Sequence, residues 1–283
     1  MSQEPPSPSS QLEMPKVYLL PNLMTAGNLF CGFMAIRLII TGSLEQQAGD
    51  EHWIQRYESS LKYILGACIF DMLDGRLARL GGRESAFGRE FDSLADVISF
   101  GLAPALLVFK IILADLPKDY SWVGGLVAFI YLLAGAMRLA RFNLVSAQPQ
   151  PNGNKDFVGF PIPAAAGLVA SITLLILTLT QNNKDELIGN WKYLLPGLLI
   201  FLSFMMYSRI SYPSFKSIDW RAKRSIPQIL LTVVIIAILY KTWRYSLALV
   251  FVMYLVYGFI RPFISKRIRA GIEEEEEEET SEA

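Results

Sequence analysis

The stretch Asp71-Met72-Leu73-Asp74-Gly75-Arg76-Leu77-Ala78-Arg79, followed after eight intervening residues by Gly88-Arg89-Glu90-Phe91-Asp92-Ser93-Leu94-Ala95-Asp96, decides how this chain is read. Its four carboxylates fall at the junction of two apolar blocks, Leu61–Leu80 and Phe91–Leu113. An Asp at the centre of a spanning helix costs about 2.5–3.5 kcal/mol on insertion scales. Four of them need compensating charge, and a pair of divalent cations supplies it with the fewest groups. Positions three and four apart share a helix face, so Asp71, Asp74 and Ala78 align on one span and Asp92, Asp96, Ser99 and Ala103 on the next. The glycines and charges of Gly81–Arg89 break the helix between them, and so short a turn presents all four carboxylates to one cavity.

Outward from that turn, apolar blocks and polar breaks alternate along the 283 residues. With 52% hydrophobic residues and a mean hydropathy of +0.34, the chain reads as an all-α, polytopic membrane helix bundle. Eight transmembrane helices are predicted: Leu19–Thr41, Leu61–Leu80, Phe91–Leu113, Trp122–Val145, Ile162–Thr180, Trp191–Tyr207, Ile226–Tyr240 and Tyr245–Ile264. No Pro/Gly/Ser-rich linker separates two folded units, and no fixed-period repeat is present. The first sixteen residues, rich in Pro and Ser, read as a disordered tail. They lack the basic and apolar regions of a signal peptide.

The formal net charge is zero only because of the acidic run Glu273–Glu279 and Glu282; without those eight acids the remainder carries a surplus of eight positive charges. Seventeen of the 26 basic residues fall in the segments that an arrangement with both termini inside places in the cytoplasm, which sets the Asp cluster at the cytoplasmic leaflet. The Glu run reads as a solvating tail, with docking onto the basic cytoplasmic face as the sharper alternative. Cys31 and Cys68 lie inside spans and read as packing residues. His52 lies in a polar external loop, away from the carboxylates. No nucleic-acid partner is expected.

Oxygen-only ligands suit Mg²⁺ or Mn²⁺ and not zinc; two ions would neutralise four carboxylates and leave positions for phosphate oxygens. Gly75 clears the helix surface where a ligand approaches, Ala78 keeps the next turn low, and Arg79 is placed to fork two hydrogen bonds onto a phosphate. Ser85 and the amides around Gly88 can add neutral donors. Asn22, Thr25 and Asn28 form a polar stripe on the first span, read either as a cap with interhelical hydrogen bonds or as nucleotide contacts. A buried Asp–Arg pair or plain helix packing would explain one carboxylate and not four in regular spacing. A cation-coupled transporter also carries intramembrane carboxylates, but it predicts repeat symmetry and charges near mid-membrane.

The full pattern from Asp71 to Asp96 resembles the signature of the CDP-alcohol phosphatidyltransferases, matched at every position. The resemblance implies metal ligation by Asp71, Asp74, Asp92 and Asp96, with Asp96 also the general base. It implies contact with the CDP moiety by Gly75, Arg79 and Ser85, to which the residue reading adds Ala78, Gly88, Asn22 and Thr25 as the expected CDP-lipid-binding set. The implied reaction exchanges the CMP of a CDP-activated lipid for an alcohol. Four further segments resemble those of the membrane-integral phosphatidylserine synthases: Pro21–Gly32, Ser99–Pro104, Arg138–Asn143 and Gly159–Ala165. That likeness implies CDP-diacylglycerol and L-serine as substrates, phosphatidylserine and CMP as products, and membrane lipids as surroundings. The family's habit implies a homodimer.

Serine carries a carboxylate and an ammonium, so its pocket needs a cation and hydrogen-bond acceptors. Arg138 and Arg141, with Ser99 and Asn143, are the candidate serine contacts; the alternative is that the arginines only obey the positive-inside bias. Choline, glycerol 3-phosphate and an inositol phosphate are the competing acceptors. The expected organisation is a tail over 1–16, a catalytic core over 17–207, two additional spans over 208–268 and an acidic disordered tail over 269–283.

Overall fold

The computed structural model describes residues 19–80, 85–112, 121–146, 157–182, 193–208, 211–212 and 242–260. It is a helical bundle of α1 (Leu19–Gln47), α2 (Trp53–Leu80), α3 (Ala86–Asp96), a π-helical segment (Val97–Leu102), α4 (Ala103–Ile111), α5 (Ser121–Ser146), α6 (Ile162–Asn182), α7 (Leu194–Tyr207) and α8 (Trp243–Ile260). A two-residue antiparallel pairing, Phe157–Val158 (β1) with Ser211–Tyr212 (β2), is the extended structure among the described residues, a small addition to the expected all-α fold.

Five stretches are long and apolar enough to cross a membrane: Leu19–Gln47, Ala86–Ile111, Trp122–Leu144, Ile162–Leu179 and Trp243–Ile260. The chain is therefore a polytopic helical membrane protein. The other three predicted spans each differ for a stated reason. The second lies within α2, which starts eight residues earlier than expected and takes Arg56 and Glu58 into the helix that already carries Lys62 and the two Asp. The sixth is α7, whose 14 residues rise only about 21 Å. The seventh, Ile226–Tyr240, lies outside the described residues, as do both tails.

Apolar residues hide where helix faces meet. Tyr57, Leu61 and Ile64 of α2, Ile39 of α1, Phe100, Leu107 of α4 and Leu168 and Leu174 of α6 are fully buried. In contrast, Phe30, Phe33, Leu126, Phe129, Phe204 and Met253 stay exposed, as lipid-facing positions should. Helices α1 and α2 pack as an antiparallel pair joined by a tight turn in which Gly49 has φ 75°, a left-handed conformation natural to glycine. Small residues permit the closest approaches. A side-chain carbon on Gly32 would collide with Ser99, so this glycine lets α1 press against the π-helical segment.

That segment has a cause in the sequence. Pro104 has no N–H to give the Phe100 carbonyl, and its ring crowds that same carbonyl. The backbone widens instead, and the Ala103 N–H bonds to the Ile98 carbonyl, five residues back. The Phe100 carbonyl is not left bare, because Tyr131 of α5 donates its hydroxyl to it at 3.2 Å. The widened turn begins immediately after Asp96 and rotates Ser99 onto α1.

Helix α8 docks on the rest through α6. Its Phe251 ring lies over Gly167, and Tyr254 packs against Phe160 with ring centroids 5.7 Å apart. At one end, Arg244 pairs with Glu58 of α2 at 3.2 Å and reaches the Thr178 hydroxyl of α6 at 3.4 Å. Glu58 and Asp71 are separated by about 20 Å along α2, so this latch lies at the end of the bundle opposite the Asp cluster.

Candidate metal and catalytic centre

Helices α2 and α3 bring three of the four aspartates together. One carboxylate oxygen from each of Asp71, Asp74 and Asp92 lies within 4.8 Å of the others. An octahedral Mg²⁺ bound at about 2.0–2.1 Å holds neighbouring ligand oxygens about 3 Å apart and opposed ones about 4 Å apart, close to the spacing seen. All donors are hard oxygens. Unscreened carboxylates this near one another repel, so the trio fits a divalent ion on both geometry and charge.

Asp96 stands outside the trio, one turn deeper on α3 and only 5% exposed. Asn28 of α1 donates its Nδ2–H to Asp96 Oδ1 at 2.9 Å. The Asn28 carbonyl accepts the Ser99 hydroxyl at 3.0 Å, so the π-helical turn fixes the residue that fixes Asp96. Thr25, one turn earlier on α1, shares its hydroxyl proton between Asp74 Oδ2 at 3.2 Å and the Pro21 carbonyl at 3.3 Å. The polar stripe of α1 is therefore built into the carboxylate site. Thr25 and Asn28 touch two different aspartates, which is the interhelical reading of the stripe.

Ser85 caps α3: its backbone is extended and its Oγ accepts the Gly88 N–H at 2.9 Å. Asn22 approaches the same turn, its Oδ1 lying 3.3 Å from the position a side-chain carbon on Gly88 would take. Asn22 Nδ2 is buried without a partner among the described residues. A cluster of donors thus surrounds the start of α3, where the helix dipole favours an anion. Gly75 follows Asp74 on α2, half-buried. Ala78 and Arg79 lie on the last turn of α2, and their side chains fall outside the described residues.

The four candidate serine contacts separate into two groups. Arg141 gives Nη1 to the Tyr207 carbonyl at 3.3 Å and Nη2 to the Met206 carbonyl at 3.4 Å, and its guanidinium stacks on the Tyr207 ring at 5.5 Å. It thereby caps the C-terminus of α7. Gly159, with φ 87°, makes room for that contact, since a side chain there would meet the Met206 carbonyl. Asn143 donates to the Ser93 hydroxyl at 2.9 Å and ties α5 to α3. Ser99 is engaged with Asn28, as above. Arg138 differs: it is 7% exposed, its Nε has no partner among the described residues, and Asp96 is the acidic group whose charge bears on it most. A guanidinium is costly to bury with a donor unused unless an anion completes it.

Asn28, which sequence reasoning placed in the polar stripe but not among the aspartates' partners, is held against Asp96. Its signal was the i, i+3, i+6 spacing of Asn22, Thr25 and Asn28 on an otherwise apolar helix.

Comparison with known proteins supplies the family. Residues 18–207 match the CDP-alcohol phosphatidyltransferase family along its sequence profile, and the chain belongs to that family. It is 35% identical over 252 residues, 87% of this chain and 91% of the relative, to the CDP-diacylglycerol–serine O-phosphatidyltransferase of Helicobacter pylori. The protein of the same name from Bacillus subtilis is 31% identical over 197 residues, 70% of this chain and 91% of its own length. An archaetidylserine synthase of Methanothermobacter thermautotrophicus is 34% identical over 196 residues, 69% of each chain.

Proposed function

We propose that this protein transfers the phosphatidyl group of CDP-diacylglycerol to the hydroxyl of L-serine, giving phosphatidylserine and CMP. The observation that carries the reading is the division of the four aspartates into a converging trio and a separately held Asp96, in a chain whose relatives bear the serine-transferase name.

Asp71, Asp74 and Asp92, with Asp96 at the edge, hold Mg²⁺ or Mn²⁺. When bound, two such ions neutralise the pyrophosphate and stabilise the departing CMP. Asn28 occupies Asp96 Oδ1, so Oδ2 is the atom that takes the proton from the serine hydroxyl. The serine oxygen forms a bond to the lipid-bearing phosphorus. The bond from that phosphorus to the bridging oxygen breaks, and CMP leaves with the electron pair. Asn22, Thr25, Gly75, Ala78, Arg79, Ser85 and Gly88 form the CDP-lipid side of the site, and Arg138 receives the serine carboxylate. Arg141, Asn143 and Ser99 shape that pocket through the contacts they make to α7, α3 and α1.

The positive-inside distribution supports a site facing the cytoplasm with both termini on that side, and hydropathy supports eight spans, the last two appended to a core over 17–207. A homodimer is part of the same reading. The test is purified full chain with CDP-diacylglycerol, Mg²⁺ or Mn²⁺, and labelled serine set against glycerol 3-phosphate, inositol phosphate and choline, with CMP release as readout. Metal-dependent CMP release with serine is expected; its absence with every acceptor refutes the transferase, and release only with another alcohol refutes serine.

A further inference from the structure

Asn28 has an unused end. Its Nδ2 donates to a carboxylate, which can only accept, so the orientation of the carboxamide is set and the oxygen is the atom left over. That Oδ1 is buried and has no hydrogen-bond partner among the described residues, in a residue with 0% exposure. Asp96 holds its amide nitrogen, and Ser99 pins the backbone carbonyl of the same residue. A polar atom buried without a partner carries an uncompensated desolvation penalty. Arg138 Nε, on a buried side chain that feels the charge of Asp96, is in the same condition, and it is a donor where Asn28 Oδ1 is an acceptor.

The carboxylate of Asp96 thus has an unsatisfied acceptor on the residue bonded to it and an unsatisfied donor on a buried cation within reach of its charge. An α-amino acid bearing a hydroxyl presents the matching set: an ammonium, a carboxylate and an alcohol. We propose that Asn28 determines specificity for the amino group of the acceptor, its Nδ2 orienting Asp96 while its Oδ1 accepts a hydrogen bond from the substrate ammonium. This rests on the reading that the acceptor is serine. A neutral amide suits the place better than a carboxylate would. A fifth acid here would compete for the divalent ions and repel Asp96, whereas an amide oxygen takes the ammonium without either effect.

Two truncated acceptors separate the contributions: 3-hydroxypropionate is serine without its ammonium, and ethanolamine is serine without its carboxylate. CMP release is measured with each for the wild type, Asn28→Leu and Arg138→Gln, at matched metal and lipid. The wild type should favour serine over 3-hydroxypropionate by about tenfold to a hundredfold in kcat/KM, the worth of one hydrogen bond to a charged group. Asn28→Leu should collapse that ratio toward one and leave the preference for serine over ethanolamine in place; Arg138→Gln should do the reverse. A purely structural role for Asn28 lowers turnover of all three acceptors in proportion, and that result overturns the inference. So does a wild type that uses serine but prefers it over 3-hydroxypropionate less than threefold, a measurement that stands even if Asn28→Leu does not fold. A wild type that does not use serine at all refutes the underlying reading instead.

Discussion

Replacing Asp96 by Asn separates chemistry from metal binding, because the structure keeps Asp96 apart from the trio. The change is nearly isosteric, and the Asn28 amide can still donate to the new side-chain oxygen, so the 2.9 Å contact survives without its charge. The oxygens of Asp71, Asp74 and Asp92, within 4.8 Å of one another, are untouched. What is lost is the proton acceptor, and general-base catalysis contributes typically about 10²–10⁴-fold, or roughly 3–5 kcal/mol of barrier. Turnover should fall by that factor. At a free Mn²⁺ concentration of about 100 times Kd, metal binding adds about 2.7 kcal/mol to stability. Asp96→Asn should keep most of this stabilisation and its CDP-lipid affinity. Asp71→Asn, which removes a member of the trio, should lose most of both. The assays are CMP release, nucleotide binding, and the Mn²⁺-dependent rise of the unfolding midpoint in detergent. Equal loss of metal stabilisation and nucleotide affinity in the two variants would refute the separation, as would Asp96→Asn retaining a tenth or more of wild-type turnover.

Three other outcomes are expected. Arg138→Gln should raise the KM for serine at least tenfold with little change in the KM for CDP-diacylglycerol, measured by varying each substrate in turn; parallel changes would contradict an acceptor-side role. Tyr131→Phe removes the donor that serves the Phe100 carbonyl and should cost about 1 kcal/mol, read from the denaturation midpoint; no shift would mean that the Pro104 turn satisfies its carbonyl by another route. Gly167→Leu collides with Phe251 and should destabilise by about 1–3 kcal/mol while loosening α8, seen as faster proteolysis after residue 208 at unchanged Mn²⁺ affinity.

Much of the centre was legible because its periodicity and its turn are local. Asp71 and Asp74 share a face by spacing, the glycines and charges after α2 predict a break, and the convergence with Asp92 is the result. The apolar blocks located the starts of α1, α5, α6 and α8 to within two residues, while α1 runs six residues beyond its predicted end. The partition between the trio and Asp96 was not legible, since it depends on a π-helical turn set by Pro104 and on Asn28 from a different helix. Arg141 looked like a substrate clamp because its partners are backbone carbonyls 65 and 66 residues away, which carry no sequence signal. Likewise the early start of α2 was hidden. Arg56 and Glu58 lie before the predicted span, and in the structure they pair with Glu45 and Arg244.

The Arg244–Glu58 pair spans 186 residues, and this bears on how the protein is made. The residues matched to the family are complete once position 207 has left the ribosome, yet Glu58 then still lacks the guanidinium that the finished chain supplies. Helix α8 is the last described element to be synthesised, and it bolts α2 to α6 when it arrives. A nascent chain therefore passes through a stage in which helices α2 and α3 exist without this pair, and the arrival of α8 supplies it. Chains that stop short of Arg244 are the ones that membrane quality control has a physical reason to remove.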